Sequence, residues 1–305
     1  MLHTLRSLTG ACALSVLSLT NPIVSAQTPP SPKMVVQPVD HEYLTVTAAE
    51  HGETDKNVKT LQAIFQAIFK QDWQAIRSLY DDQFYTQHNP DMKDKVEGVI
   101  ELFQSLDYKT LVYEPVLQIA EGPYVAVLSK LQFAPNQPTM AVVDINFIRD
   151  GKSREHWDII QPFTGANGSG RTPFDIVMKD TVKTDQATVD ANKRLVAEMI
   201  NEVFNRKQPG KVKQYIGEPY YQHGLGKDGY EDVVRDISER FPDVKVDIKR
   251  IIGQNDLVLA HARVFGMGKE FSRVDIWRVR DNKMVEHWGV MQPVPDKMQH
   301  RNGMF

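Results

Sequence analysis

Two stretches of the chain carry the same succession of patterns, apolar residues at helical spacing followed by strand-like runs. In the first, Val58, Leu61, Ile64, Phe65, Ile68 and Phe69 recur at the three- and four-residue spacing of an amphipathic helix. Trp73, Ile76, Leu79 and Tyr80 predict a second, short helix, and a third is predicted over 93–105. Strand-like runs follow near 109–118, 123–133, 139–149 and 153–161. In the second stretch, Leu195, Met199, Ile200, Val203 and Phe204 repeat the first helix. Val212, Tyr215 and Ile216 repeat the short one, and 229–240 the third. Strand-like runs follow near 244–252, 256–265, 270–280 and 284–292. Helices first and strands after is the order of an α+β domain with an antiparallel meander, not of βαβ units.

The two stretches are also related residue by residue. Positions 143–162 read VDINFIRDGKSREHWDIIQP and positions 274–293 read VDIWRVRDNKMVEHWGVMQP, at a constant offset of 131. About half of the positions agree, including Asp144/Asp275, Glu155/Glu286, His156/His287, Trp157/Trp288 and Gln161/Gln292. Upstream, Tyr85-Thr86-Gln87-His88 aligns with Tyr220-Tyr221-Gln222-His223 at an offset of 135, so a loop is shorter by four residues in the second copy. A long internal period of this kind marks a repeated structural unit. The expected domains are 57–165 and 188–305. They are joined by a linker over 166–187 within a Gly/Ser-rich segment, TGANGSGRTP. Residues 27–56, with little periodicity, are expected to form an extended arm.

Composition changes this picture only at its edges. With 305 residues the chain has room for about two domains. Apolar residues make up 41%, charged residues 25%, and the net charge is −3, which gives no basic excess to attract nucleic acid. Arg6, an apolar run over 8–19 and Val24-Ser25-Ala26 read as a signal peptide (1–26) cut after Ala26, so the expected location is periplasmic or secreted. That run is too short for a spanning helix, and stable membrane insertion is not expected. The one cysteine, Cys12, falls inside it, leaving the mature chain without disulfide or thiolate chemistry.

The pattern YxQHNP, a helix, strands, then VDIxR…GKxxEHWDxxQP resembles the SnoaL-like branch of the NTF2-like superfamily, over both copies. Its relatives include polyketide cyclases of the aldol-condensing kind, ketosteroid isomerases and epoxide hydrolases. The resemblance implies two cone-shaped α+β domains, each with helices packed in a curved antiparallel sheet and a pocket in the mouth of the cone. It also implies an Asp or His acid/base and no cofactor. The first copy keeps Gln87-His88-Asn89-Pro90 and His156-Trp157-Asp158, while the second has Gly224 after His223 and Gly289 after Trp288.

The candidate chemistry follows from the last hairpin. A three-residue loop, Arg149-Asp150-Gly151 or Arg280-Asp281-Asn282, with its last residue left-handed, would set Asp144 directly opposite His156 and Asp275 opposite His287. Such residues share one face with Cβ atoms roughly 5 Å apart, and a carboxylate beside an imidazole is an acid/base pair. Asp144, His156, Asp275 and His287 are therefore the candidate catalytic residues. His88, His223, His261, Trp157, Trp288, Gln161 and Gln292 are the candidate substrate-binding residues. Val143, Ile145, Phe147, Trp157 and Ile159 make the opposite face apolar, so the two domains are expected to cover each other as a pseudo-dimer. His223, His261, His287 and Asp275 lack the spacing of a metal site, and no metal is expected. Two functions remain open: an acid/base enzyme for a small apolar carbonyl compound, with aldol-type, isomerase or hydratase chemistry, and a module that binds such a ligand or a partner without turnover.

Overall fold

Asp107 decides where the first long strand begins. Its carboxylate accepts from the Lys109 N–H and its carbonyl from those of Thr110 and Leu111, a turn that delays the first long strand to Val112, three residues later than the pattern predicts. The computed structural model describes residues 46–224 and 228–305, which belong to one compact unit. The expected signal peptide and the arm up to residue 45 lie outside them. From residue 46 the arm expectation is corrected: α1 (Ala48–Gly52) and the start of α2 (Thr54–Lys70) occupy this segment. A capping box explains it, in which the Thr47 hydroxyl accepts from the Glu50 N–H and the Glu50 carboxylate reciprocates.

The fold is α+β. The first half continues with α3 (Trp73–Leu79), β1 (Thr86–Gln87), α4 (Lys95–Gln104), β2 (Val112–Glu121), β3 (Tyr124–Gln132), β4 (Met140–Arg149) and β5 (Lys152–Pro162). The second half comprises α5 (Gln186–Ile200), β6 (Ile216–Gln222), α6 (Tyr230–Arg240), β7 (Lys245–Gln254), β8 (Leu257–Phe265), β9 (Phe271–Arg280) and β10 (Lys283–Pro293), with a π-helical turn after α5 and a 3-10 turn before β6. Each half builds a five-stranded sheet of the same order, β1-β5-β4-β3-β2 and β6-β10-β9-β8-β7. The meanders are antiparallel, and the strand of each Gln-His motif joins the last strand in parallel.

The register of the last hairpin differs from the expectation. The loop has two residues, not three: Asp150 and Gly151 have φ of 55° and 72°, and Asp281 and Asn282 have 50° and 58°. These are the two left-handed residues of a hairpin turn whose twist matches the strands. Alone, that turn would send Asp144 and His156 to opposite faces. A β-bulge at Arg154 restores the parity, so Asp144 pairs with Asp158 and Asn146 with His156. The same bulge at Val285 pairs His287 with Trp277 and Asp275 with Gly289. Asp and His thus lie diagonally on one face in each half, not directly opposite.

One face of each sheet carries helices, and α2, α3 and α4 build an apolar cluster around Ile64, Ile76, Tyr85 and Val96 in the first half. The other faces meet in a single cluster that draws on both sheets, with Val143, Ile145, Trp157 and Ile159 from one and Val274, Ile276, Trp288 and Val290 from the other. Two reciprocal hydrogen bonds cross it: Gln161 Oε1 accepts from Met291 N at 2.8 Å, and Gln292 Oε1 from Ile160 N at 2.9 Å. The segment between the halves is anchored rather than free. Asn167 donates to the Gln222 carbonyl, Val177 N to Glu286, and Trp288 Nε1 to the Asp175 carbonyl.

Candidate active site

The helix-covered face of the first sheet holds a cavity of about 120 Å³. Its walls are apolar, with Leu61, Ile64, Phe65, Ile68, Leu102 and Phe103 among them, and its polar floor comprises Asp144, Asn146, His156 and Asp158 with Gln87 and Asn89. Phe69 and Phe133 also line it and are 46% and 37% exposed, which places the mouth beside them. An apolar cavity of about 150 Å³ accepts benzene, so the space behind the mouth suits a small ring or a comparable end of a longer molecule.

The floor is organised by hydrogen bonds whose directions can be read. Gln87 Oε1 accepts from the backbone N–H groups of His88 and Asn89 at 2.9 and 2.8 Å, and Gln87 Nε2 donates to Tyr85 Oη. The same oxygen lies 3.0 Å from His156 Nδ1, which must therefore carry a proton and donate. His156 Nε2 lies 3.2 Å from Asp144 Oδ1. A second proton is shared across that contact, as imidazolium with carboxylate or as imidazole with carboxylic acid. Burial acts against the imidazolium, but the Asp144 hydrogen bond and the Asp158 and Asp144 charges outweigh it, and the His156 pKa is raised.

Asp158 is 7% exposed. Its Oδ2 accepts from Asn89 Nδ2 at 2.7 Å, whereas its Oδ1 has no hydrogen-bond partner among the described residues. Burial raises its pKa to about 6, against the lowering effect of His156. Because Oδ2 is an acceptor, the proton of the acid form resides on Oδ1. The ligand atoms of Asp144, His156 and Asp158 lie within 4.8 Å of one another and could also close around a cation.

The second half carries the corresponding pair but not the cavity. His287 Nε2 and Asp275 Oδ1 are 2.7 Å apart. Arg273, where the first half has Val142, clamps Asp275 with two hydrogen bonds of 2.7 Å. Burial opposes the Asp275 charge, but Arg273 and His287 outweigh it and hold the carboxylate well below its usual range. Trp277, in place of Asn146, stacks on His287 at 3.9 Å, and Tyr230 closes over both. Gly289 replaces Asp158, and Gly224 replaces its donor Asn89. A Cβ at Gly289 would meet Asp275 Oδ1 at 3.2 Å and His287 at 3.3 Å. The remaining space is about 20 Å³, room for roughly one water.

None of the seven expected substrate-binding residues lines either cavity. His88 and His223 are buried, stacked on Trp157 and Trp288, and each contacts a glutamate, Glu155 or Glu286, at 2.8 Å. The two tryptophans lie between the sheets, and Gln161 and Gln292 bridge them. His261 is buried between Arg250 and Ser272. Sequence reasoning missed Asp158, Asn89 and Gln87 as site residues. The signal was the pairing of Asp158 and Asn89 with Gly289 and Gly224, a simultaneous loss at two linked positions.

Residues 194–299, in the half whose cavity is closed, match the family model of the SnoaL-like polyketide cyclases and are similar to that family. Among solved structures, a loop-truncated variant of IdmH from Streptomyces antibioticus is 23% identical, covering 33% of this chain and 92% of that chain, with a TM-score of 0.30. An NTF2-like protein from Burkholderia xenovorans is 16% identical over 35% of this chain and 91% of that chain, with a TM-score of 0.30. A SnoaL-like polyketide cyclase from Agrobacterium tumefaciens is 11% identical over 33% and 91%, with a TM-score of 0.29. A search of curated proteins gave no match.

Proposed function

We propose that the first half is an acid/base catalyst for a small, mostly apolar carbonyl compound, working without a cofactor. The observation that carries this reading is that Asp158, whose buried Oδ1 has no hydrogen-bond partner among the described residues, lines an apolar cavity together with the Asp144–His156 pair. In this reading a carbonyl oxygen sits against Asp158 Oδ1 and receives its hydrogen bond. Asp144 takes a proton from the carbon next to the carbonyl. The C–H bond breaks, a C=C bond forms, and the carbonyl oxygen gains the Asp158 proton as its charge develops. His156, with Nδ1 fixed by Gln87, keeps a proton within reach of Asp144 for the return step. Return at another carbon gives isomerisation; attack of the enol carbon on a second carbonyl gives an aldol product.

We further read the two halves as tandem copies of one domain packed as a pseudo-dimer, on the repeat and the common strand order. The first 26 residues are read as an export signal to the periplasm or beyond. The test is deuterium exchange of cyclohexanone, whose seven heavy atoms suit the cavity, in D₂O by NMR. Wild type should accelerate exchange of the protons next to the carbonyl, and Asp144→Asn and Asp158→Asn should each lose most of the effect. A rise in melting temperature with ketone but no exchange would replace the enzyme by a ligand-binding module.

A further inference from the structure

The loop that orders the acid/base centre is short of regular structure of its own, since β1 has only two residues. Gln87 and Asn89 nevertheless hold His156 and Asp158 at 3.0 and 2.7 Å. Its own half holds it through Gln87 N to Asp94 and His88 N to the His156 carbonyl, and a second set of contacts comes from the other half. Beyond β10 the chain returns to the first half and engages four consecutive residues. Gln299 N donates to the Pro90 carbonyl at 2.8 Å, and His300 Nε2 to the Asn89 carbonyl at 2.8 Å. Asn302 Nδ2 donates to the Gln87 carbonyl at 2.9 Å, and His88 Nδ1 to the Gly303 carbonyl at 2.9 Å. His300 Nδ1 accepts from Asn302 N, which fixes the tautomer that can donate from Nε2. Met304, 2% exposed, anchors the end of the segment.

The arrangement is reciprocal. Asn167, which follows β5, donates to the Gln222 carbonyl at 2.7 Å, and both members of this contact stand 135 positions before or after those of Asn302 and Gln87. Each half sends the segment after its last strand to clasp the Gln-His loop of the other. Only one of the two clasps serves an open cavity.

We propose that residues 299–304 are a positioning element for the site in the first half, with Asn302 and His300 as its positioning residues. They hold Gln87 and Asn89 so that the first fixes the His156 protons and the second engages Asp158 through Oδ2 alone. The proposal rests on the reading of Asp144, His156 and Asp158 as the acid/base centre. A consequence is that the second half, though its own cavity is closed, is required for the first to work.

The test is the titration of His156 in the full chain, labelled with ¹⁵N-histidine and assigned with His156→Gln. In His300→Ala/Asn302→Ala the His156 titration should move to lower pH by about one unit, the size of one lost hydrogen bond to a charged group. His300→Gln, which keeps a donor, should restore most of the shift when paired with native Asn302. Asn167→Ala, which frees the equivalent loop in the second half, should lower the melting temperature without moving His156. If the double variant does not fold, Asn302→Ala is read in the same way. A melting temperature that falls while His156 titrates as in wild type would make the segment a plain structural clamp and overturn the proposal. Failure of ketone exchange in wild type would remove the acid/base reading while leaving the titration result intact.

Discussion

Replacing Asp158 by asparagine should stabilise this protein at alkaline pH and leave it unchanged in acid. Asparagine is close to isosteric with the protonated carboxyl group, and its amide can still accept from Asn89. What it cannot do is ionise. In the folded chain burial raises the Asp158 pKa from 3.8 to about 6. The unfolded chain releases this proton near pH 4, and the folded chain keeps it until about pH 6. The stabilising contribution is therefore complete below pH 4 and is lost as pH rises through 6. The displacement corresponds to roughly 3 kcal/mol. At pH 8 the variant should be more stable than wild type by about that amount, and at pH 4 the two should coincide. Urea unfolding at pH 4, 6 and 8, followed by fluorescence of the buried Trp157, Trp277 and Trp288, reads this as a midpoint higher by about 1 M at pH 8. A variant no more stable than wild type at pH 8, or a difference independent of pH, would refute the argument that Asp158 is a buried acid.

Arg273→Ala should cost about 3–5 kcal/mol, because Asp275 would remain buried with only His287 to balance it; a cost under about 1 kcal/mol in urea unfolding would show that the ion pair does not hold that half closed. Gln161→Ala and Gln292→Ala should each cost about 1–3 kcal/mol, since each strips a backbone N–H between the sheets of its acceptor. Near-equal costs are expected from the reciprocal geometry, and a negligible cost for either would mean that water replaces the bond.

The alternation of apolar positions made the helices and strands legible, and the repeat made the two halves legible. The hairpin register was not. Asp150-Gly151 and Asp281-Asn282 are readable as tight turns, but nothing local marks Arg154 or Val285 as the extra residue of a bulge. A three-residue loop and a two-residue loop with a bulge both leave Asp and His on one face, directly opposite in the first case and diagonal in the second. The binding residues were illegible for another reason: identity between the halves does not separate function from packing, and Trp157/Trp288 and Gln161/Gln292 agree because they face each other across the contact between the sheets. His88 and His223 are kept because each stacks on one of those tryptophans. The difference between open and closed cavities lies at positions that diverged, Val142/Arg273, Asn146/Trp277 and Asp158/Gly289.

That divergence has a consequence for how such a molecule can change. In a ring or pair of identical subunits, an arginine at the position of Val142 would seal every pocket at once, and selection for turnover would remove it. Here the two positions are written separately in one gene product. One half can carry an Arg273–Asp275 lock and a stacked tryptophan in place of a cavity, while the other carries a hollow and a carboxyl oxygen without a partner among the described residues, both of which cost stability. Stability and chemistry, which compete inside a single small domain, can be divided between neighbours that share a peptide chain.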